Sequence, residues 1–258
     1  LIATTATAQD VYMAGNEFGM RVAAGNFEGD GLRDAIDFCH RNGVKAYVTI
    51  NTIPRNNELD RIGNFARFVE DSGADAAIVA DVGVMGIIKR YAPSLEIHMS
   101  TQAGVANYES ARMWYDLGAK RVILARELSL DDIAEIRAKT SPDLDIECFV
   151  HGSMCVSFSG RCLLSNYLAD RDANRGACAQ PCRWKYYLRE EKRDGEFFEV
   201  EEHPEGTYIM NSKDLCAIRF LDKIASAGVS SFKIEGRAKS EYYAAVTTRA
   251  YRGAIDDL

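Results

Sequence analysis

Asn42-Gly-Val-Lys-Ala-Tyr-Val-Thr-Ile-Asn51 reads as a helix end, a short apolar strand and a polar strand end in ten residues. Gly43 stands where a helix C-cap needs a left-handed backbone, and Val44 to Ile50 is a β-branched run suited to a buried strand. The same figure recurs along the chain. Gly73 precedes a strand at 76–80, and Gly118 precedes one at 121–125. Further strands are expected at 10–14, 95–99, 146–150 and 231–234. Amphipathic helices fit 32–41, 58–71, 85–91, 108–117, 130–139, 214–227 and 240–255, and an opening helix fits 2–8. Ser129-Leu-Asp-Asp132 carries a cap residue followed by acids, a helix start that suits the macrodipole.

Alternating strands and helices at this spacing predict a (β/α)8 barrel that lacks its first strand in this chain. An open doubly wound sheet is the alternative, because repeat counting does not show closure. No glycine-rich dinucleotide or Walker sequence follows the early strands, which argues against a nucleotide-binding Rossmann reading. The 258 residues, 47% of them hydrophobic, suffice for one large domain. Within that domain, 152–206 breaks the rhythm as a long insertion after the strand that ends at Val150. Loops of that length in compact domains usually serve function.

The insertion and its flank carry five cysteines: Cys155, Cys162, Cys178, Cys182 and Cys216. Four thiolates converging on one point hold zinc or an iron–sulfur centre. Paired Cys-x2-Cys knuckles would favour zinc, and none is present, so a 4Fe–4S cluster is the first expectation and zinc the alternative. Cys155, Cys162 and Cys178 are the favoured ligands, with Cys182 ahead of Cys216 as the fourth. Cys216 is placed just inside a helix start, while Cys39 and Cys148 read as core thiols. No secretory segment is visible, which favours a reducing cytoplasm over a disulfide framework. No apolar run reaches the ~18 residues of a membrane span.

If the barrel closes, the strand ends form its active rim. They carry Asn51, Asp81, Ser100-Thr-Gln102, Arg126-Glu127, His151 and Glu235-Gly-Arg237. His151 is the foremost candidate there, as acid/base, as donor to a cluster sulfur, or as a strand cap. The net charge of −7 disfavours a general nucleic-acid binder. Locally, 161–193 holds eight basic residues against four acidic ones, enough for phosphates to be held there. Arg161 and the run Arg183-Trp184-Lys185 set cations beside a ring, as RNA binding with base stacking requires.

The stretch Glu147-x-Phe-x-x-Gly-Ser-Met-Cys155-x6-Cys162-x-Leu-Ser165 resembles the signature of peptidase family U32, the collagenase-like proteases. Phe18-Gly-Met-Arg-Val-Ala-Ala-Gly-Asn26, Ser100-Thr-Gln102, Arg126-Glu127, Asn211-Ser-Lys-Asp-Leu215 and Phe232-Lys-Ile-Glu-Gly-Arg237 extend the likeness over nearly the whole chain. The resemblance implies either a peptidase or an oxygen-independent hydroxylation protein acting on tRNA uridine, ribosomal RNA cytidine or a quinone precursor. It implies a cysteine-held 4Fe–4S cluster and, for RNA-acting members, prephenate as co-substrate. The run from Arg175 to Tyr186 is closest to the tRNA uridine branch. On that reading the candidate catalytic set is His151, Glu127, Arg126, Gln102, Lys233, Glu235 and Arg237. A peptidase, and a cluster-carrying scaffold working with a partner subunit, are the alternatives. No Gly-x-Ser-x-Gly or His-Glu-x-x-His sequence supports protease chemistry.

Overall fold

The computed structural model describes residues 7–20, 26–153, 155, 157–158, 161–184, 187–188, 198–199, 214–236 and 239–258. Seven parallel strands follow the path β1 (Asp10–Met13), β2 (Lys45–Ile50), β3 (Ala76–Val79), β4 (Glu96–Met99), β5 (Arg121–Ile123), β6 (Asp145–Gly152) and β10 (Ser231–Glu235). Between them run helices α1 (Asp30–Arg41), α2 (Leu59–Asp71), α3 (Val82–Tyr91), α4 (Tyr108–Asp116) and α5 (Leu130–Lys139). The insertion contributes α6 (Leu164–Ala169) and a small hairpin of β7 (Tyr187–Leu188) and β8 (Phe198–Glu199). A two-residue strand β9 (Leu215–Cys216) then pairs antiparallel with β6, α7 (Leu221–Ser226) precedes β10, and α8 (Glu241–Asp256) closes the chain.

Strand alternation builds two layers. In β2, Ala46, Val48 and Ile50 pack outward against the helices, while Tyr47 faces inward with Ala76, Ile78 and Ile123. The sheet curls until its two ends meet through side chains. The Tyr12 hydroxyl donates to Glu235 Oε2 at 2.9 Å, and Lys233 Nζ stands 4.4 Å from the centre of the Tyr12 ring. Among the described residues no backbone ladder joins β1 to β10. This is the expected barrel minus one strand, with a seam where that strand belongs.

Beside these apolar side chains the inner layer carries an ionic network. Arg121 donates to Glu147 at 2.9 Å, to Asp145 at 3.3 Å and to Asp10 at 3.5 Å, and Lys233 donates to Glu147 at 2.6 Å. Burial pushes the Glu147 carboxyl up, but Lys233 and Arg121 outweigh it and hold it at about 2. Burial, helped by Arg121, pulls the buried His98 imidazole down to about 3, so it stays neutral against the Tyr47 ring.

One expected element differs. The helix expected at 214–227 is instead β9, a short 3-10 turn and the six-residue α7. Cys216 therefore lies in a strand and not at a helix start. Asp214, paired with Lys239 at 2.9 Å, ties this entry to the start of α8. The opening helix expected at 2–8 falls mostly outside the described residues.

Candidate functional site at the barrel rim

Several rim polar groups have structural duties. Asn51 Oδ1 accepts from the Met20 amide at 3.2 Å, and Asp81 caps α3 by accepting from the Val84 amide at 3.0 Å. Thr101 donates to the Leu124 carbonyl at 3.0 Å, binding the turn after β4 to the end of β5. In the same turn Gln102 Oε1 accepts from Ser100 Oγ at 3.1 Å. Arg126 lays its guanidinium over the Phe149 ring at 4.0 Å and donates to the Ser153 carbonyl at 3.0 Å. Beside it, Glu127 is exposed. Lys233 is committed to Glu147 inside the barrel, and Glu235 to Tyr12 across the seam. Arg237 lies outside the described residues.

His151 is turned away from this group by a register shift. β10 pairs Lys233 with Phe149 but Ile234 with His151, so Val150 is an extra residue in β6. Such a bulge reverses the alternation beyond it. Glu147 and Phe149 face the barrel interior; His151 faces α8. There its Nδ1 meets the Tyr251 hydroxyl at 3.2 Å, and its ring lies 5.7 Å from that of Tyr243. Burial pulls the His151 imidazole below its ordinary value, with Asp214 opposing and Lys239 assisting. Among the described residues the ring's hydrogen-bond partner is Tyr251.

The stretch 161–175 of the insertion reaches the barrel mouth. Arg175 donates two bonds to the Glu58 carboxylate, at 2.9 and 2.8 Å, and reaches the Ile53 carbonyl after β2. Asp172 sits 3.7 Å from Arg55, and Arg161 extends to Gly104 after β4, 3.2 Å from where a Cβ would stand. Inside the insertion, the Ala179 amide donates to the buried Ser165 Oγ at 2.9 Å, holding the Cys178 stretch to α6. Trp184 is 45% exposed. The Arg183 side chain and Lys185 lie outside the described residues.

No disulfide joins any of the seven cysteines. Cys39 and Cys148 are buried, as expected of core residues, and burial pushes the Cys148 thiol up to about 12. Cys155 and Cys216 are exposed; Cys162, Cys178 and Cys182 are half-buried. As donors they suit a thiolate-held centre. Their placement does not gather them: among the described residues no three His, Cys, Asp or Glu side chains form a group that could hold a metal ion. Among the described residues no helix is long and apolar enough to cross a membrane.

Tyr251, Tyr243 and Glu58 are site-shaping residues that strand-end reading does not reach. The one signal for the tyrosines is their recurrence two turns apart on the last helix.

Comparison with known proteins places this geometry. Peptidase family U32 matches residues 1–258. The tRNA hydroxylation protein P of Helicobacter pylori (strain J99) is 44% identical over 100% of this chain and 62% of its own length. The 23S rRNA 5-hydroxycytidine C2501 synthase of Escherichia coli is 39% identical over 97% of this chain and 36% of its own. Among solved structures, the U32 peptidase Mk0906 superposes with a TM-score of 0.57 at 13% identity, covering 91% of this chain and 87% of that one. That likeness concerns the fold alone. The chain spans less than two thirds of the length of the curated relatives it matches first.

Proposed function

Because the chain belongs to peptidase family U32 over residues 1–258, we propose that it is the barrel of an RNA-hydroxylation protein acting on tRNA uridine in the cytoplasm. The observation that carries this reading is 44% identity, over the whole chain, to a protein named for tRNA hydroxylation. The 39% identity to a ribosomal RNA 5-hydroxycytidine synthase supports a pyrimidine of RNA as the substrate class. The insertion adds exposed cations and a partly exposed ring, Arg161, Arg171 and Trp184, which suit a phosphate and a stacked base.

The proposal includes a 4Fe–4S cluster held by four of Cys155, Cys162, Cys178, Cys182 and Cys216, with prephenate as co-substrate. Such a cluster supplies one-electron chemistry when bound. The chain's own residues bind and orient. Arg126, stacked on Phe149, fixes the loop at Ser153 that leads to Cys155, and the Arg175–Glu58 pair fixes the insertion at the mouth.

Mass spectrometry of tRNA nucleosides from a deletion strain tests the activity; 5-hydroxyuridine derivatives should disappear and return on complementation. Unchanged nucleosides would sink the reading. Iron and sulfide analysis after anaerobic purification tests the cofactor, with a loss of both expected in Cys155→Ala. Zinc in their place would point to the alternative metal.

A further inference from the structure

The Tyr251 hydroxyl, on α8, is surrounded at the C-terminal end of β6. It stands 2.7 Å from the Val150 carbonyl oxygen, 3.1 Å from the Ala217 amide and 3.2 Å from His151 Nδ1, and the Cys216 thiol lies alongside. A phenol has one proton to give. Two oxygens at 2.7 Å need a hydrogen between them, and a carbonyl has none, so the proton goes to Val150. The Val150 carbonyl, at 2.7 Å, is the acceptor that the distances give the hydroxyl. The Ala217 amide shares its N–H between the Val150 carbonyl at 2.9 Å and the phenol oxygen at 3.1 Å. His151 Nδ1 can then meet that oxygen only as a donor. The imidazole carries its proton on Nδ1, and Nε2 is left with a lone pair. Among the described residues nothing bonds to Nε2.

The geometry points to Tyr251 as a positioning residue that locks His151 into the Nδ1–H tautomer. Nε2 is thereby left as a hydrogen-bond acceptor for an N–H or O–H donor that reaches it. This rests on the hydroxylation reading above and names the group the site takes at this point, an N–H or O–H donor. A carboxylate or phosphate oxygen, itself an acceptor, is repelled there. The Val150 bulge and the Tyr251 lock act together: the bulge aims the ring at α8, and the phenol decides which nitrogen stays open.

Histidine-selective 15N NMR of the purified chain decides the tautomer without any variant. The chain has four histidines, and His151 is assigned by the signals lost in His151→Gln. The expected result is a protonated Nδ1 and an unprotonated Nε2. A proton on Nε2 overturns the proposal. Tyr251→Phe should move the ring towards the Nε2–H form; an unchanged tautomer overturns Tyr251 as its holder. In tRNA hydroxylation, Tyr251→Phe should lower kcat roughly 10- to 100-fold, the usual cost of losing a group that orients a site residue, with KM for tRNA unchanged. A rise in KM alone, or unchanged kinetics, overturns the positioning role. If the unaltered protein hydroxylates nothing, the substrate reading fails, and the NMR result still decides the tautomer.

Discussion

Glu147 shows how much a single side chain can carry. It is buried between Arg121 and Lys233, and Ser231 donates to it at 3.0 Å. Removing its charge leaves Lys233 without its counter-ion and Arg121 with only the longer contacts to Asp145 and Asp10 in a barrel interior. Glu147→Gln should cost about 3–5 kcal/mol in chemical denaturation, the usual result of breaking a buried ion pair from one side. The same group sets an acid limit. Its folded value of about 2 lies below the ~4.3 of an unfolded glutamate, so its stabilisation is present above that value and is lost as pH falls towards 2. His98, held at about 3 against ~6.5 unfolded, takes up a proton more readily when unfolded. Its contribution is present above about 6.5 and declines as pH falls towards 3. Asp10 works in the opposite sense, since burial and Glu147 push its carboxyl up. Denaturation midpoints should therefore fall between pH 6.5 and 3 and more steeply below about 4.5, and His98→Asn should flatten the upper limb. A flat profile down to pH 3 would contradict this. None of the network was legible from the sequence. Arg121 and Glu147 are 26 positions apart, Asp10 and Arg121 are 111 apart, and only the curl of the sheet joins them.

Repeating units were the most legible feature, because each unit's period reports its own burial. The strand expected at 76–80 is observed as Ala76–Val79, and the helix expected at 130–139 is Leu130–Lys139. The expectation failed where a partner strand decided the outcome. Leu215–Cys216 extends because β6 offers it a ladder edge, a long-range fact that a local helix period cannot register. The direction of His151 was hidden for the same reason, since a bulge is a property of two strands and not of one. Gly152, just past that bulge, has φ +109°, and a Cβ there would overlap the Glu235 carbonyl oxygen. Both the backbone and the space demand glycine. Gly152→Ala should push β6 and β10 apart, lowering stability by about 2 kcal/mol or more and shifting the His151 NMR signals. Signals and stability both unchanged would show that the approach is not tight.

At the scale of the molecule, a curled sheet holds an ionic network while a cysteine-rich strap reaches its mouth. The strap's position was not legible, because Arg175 and Glu58 lie 117 residues apart. Arginine hydrogen bonds, with the Arg55 amide, hold the Glu58 carboxyl down at about 2, so this clasp stays ionised at neutral pH. Glu58→Gln should release the strap, raising the rate of limited proteolysis within 161–184 several-fold while the core melts nearly unchanged. Equal cleavage rates would mean that the strap is held elsewhere. The cysteines were legible as a set, but their geometry was not, since spacing along a chain does not determine convergence in space. The seam between β1 and β10 has a different consequence. Among the described residues no ladder covers the outward amides of these two neighbouring strands, so deuterium should enter Asp10–Met13 and Ser231–Glu235 well ahead of the sheltered β3 and β4. That makes this line, and not the crowded strap, the place where the cylinder begins to unzip under heat.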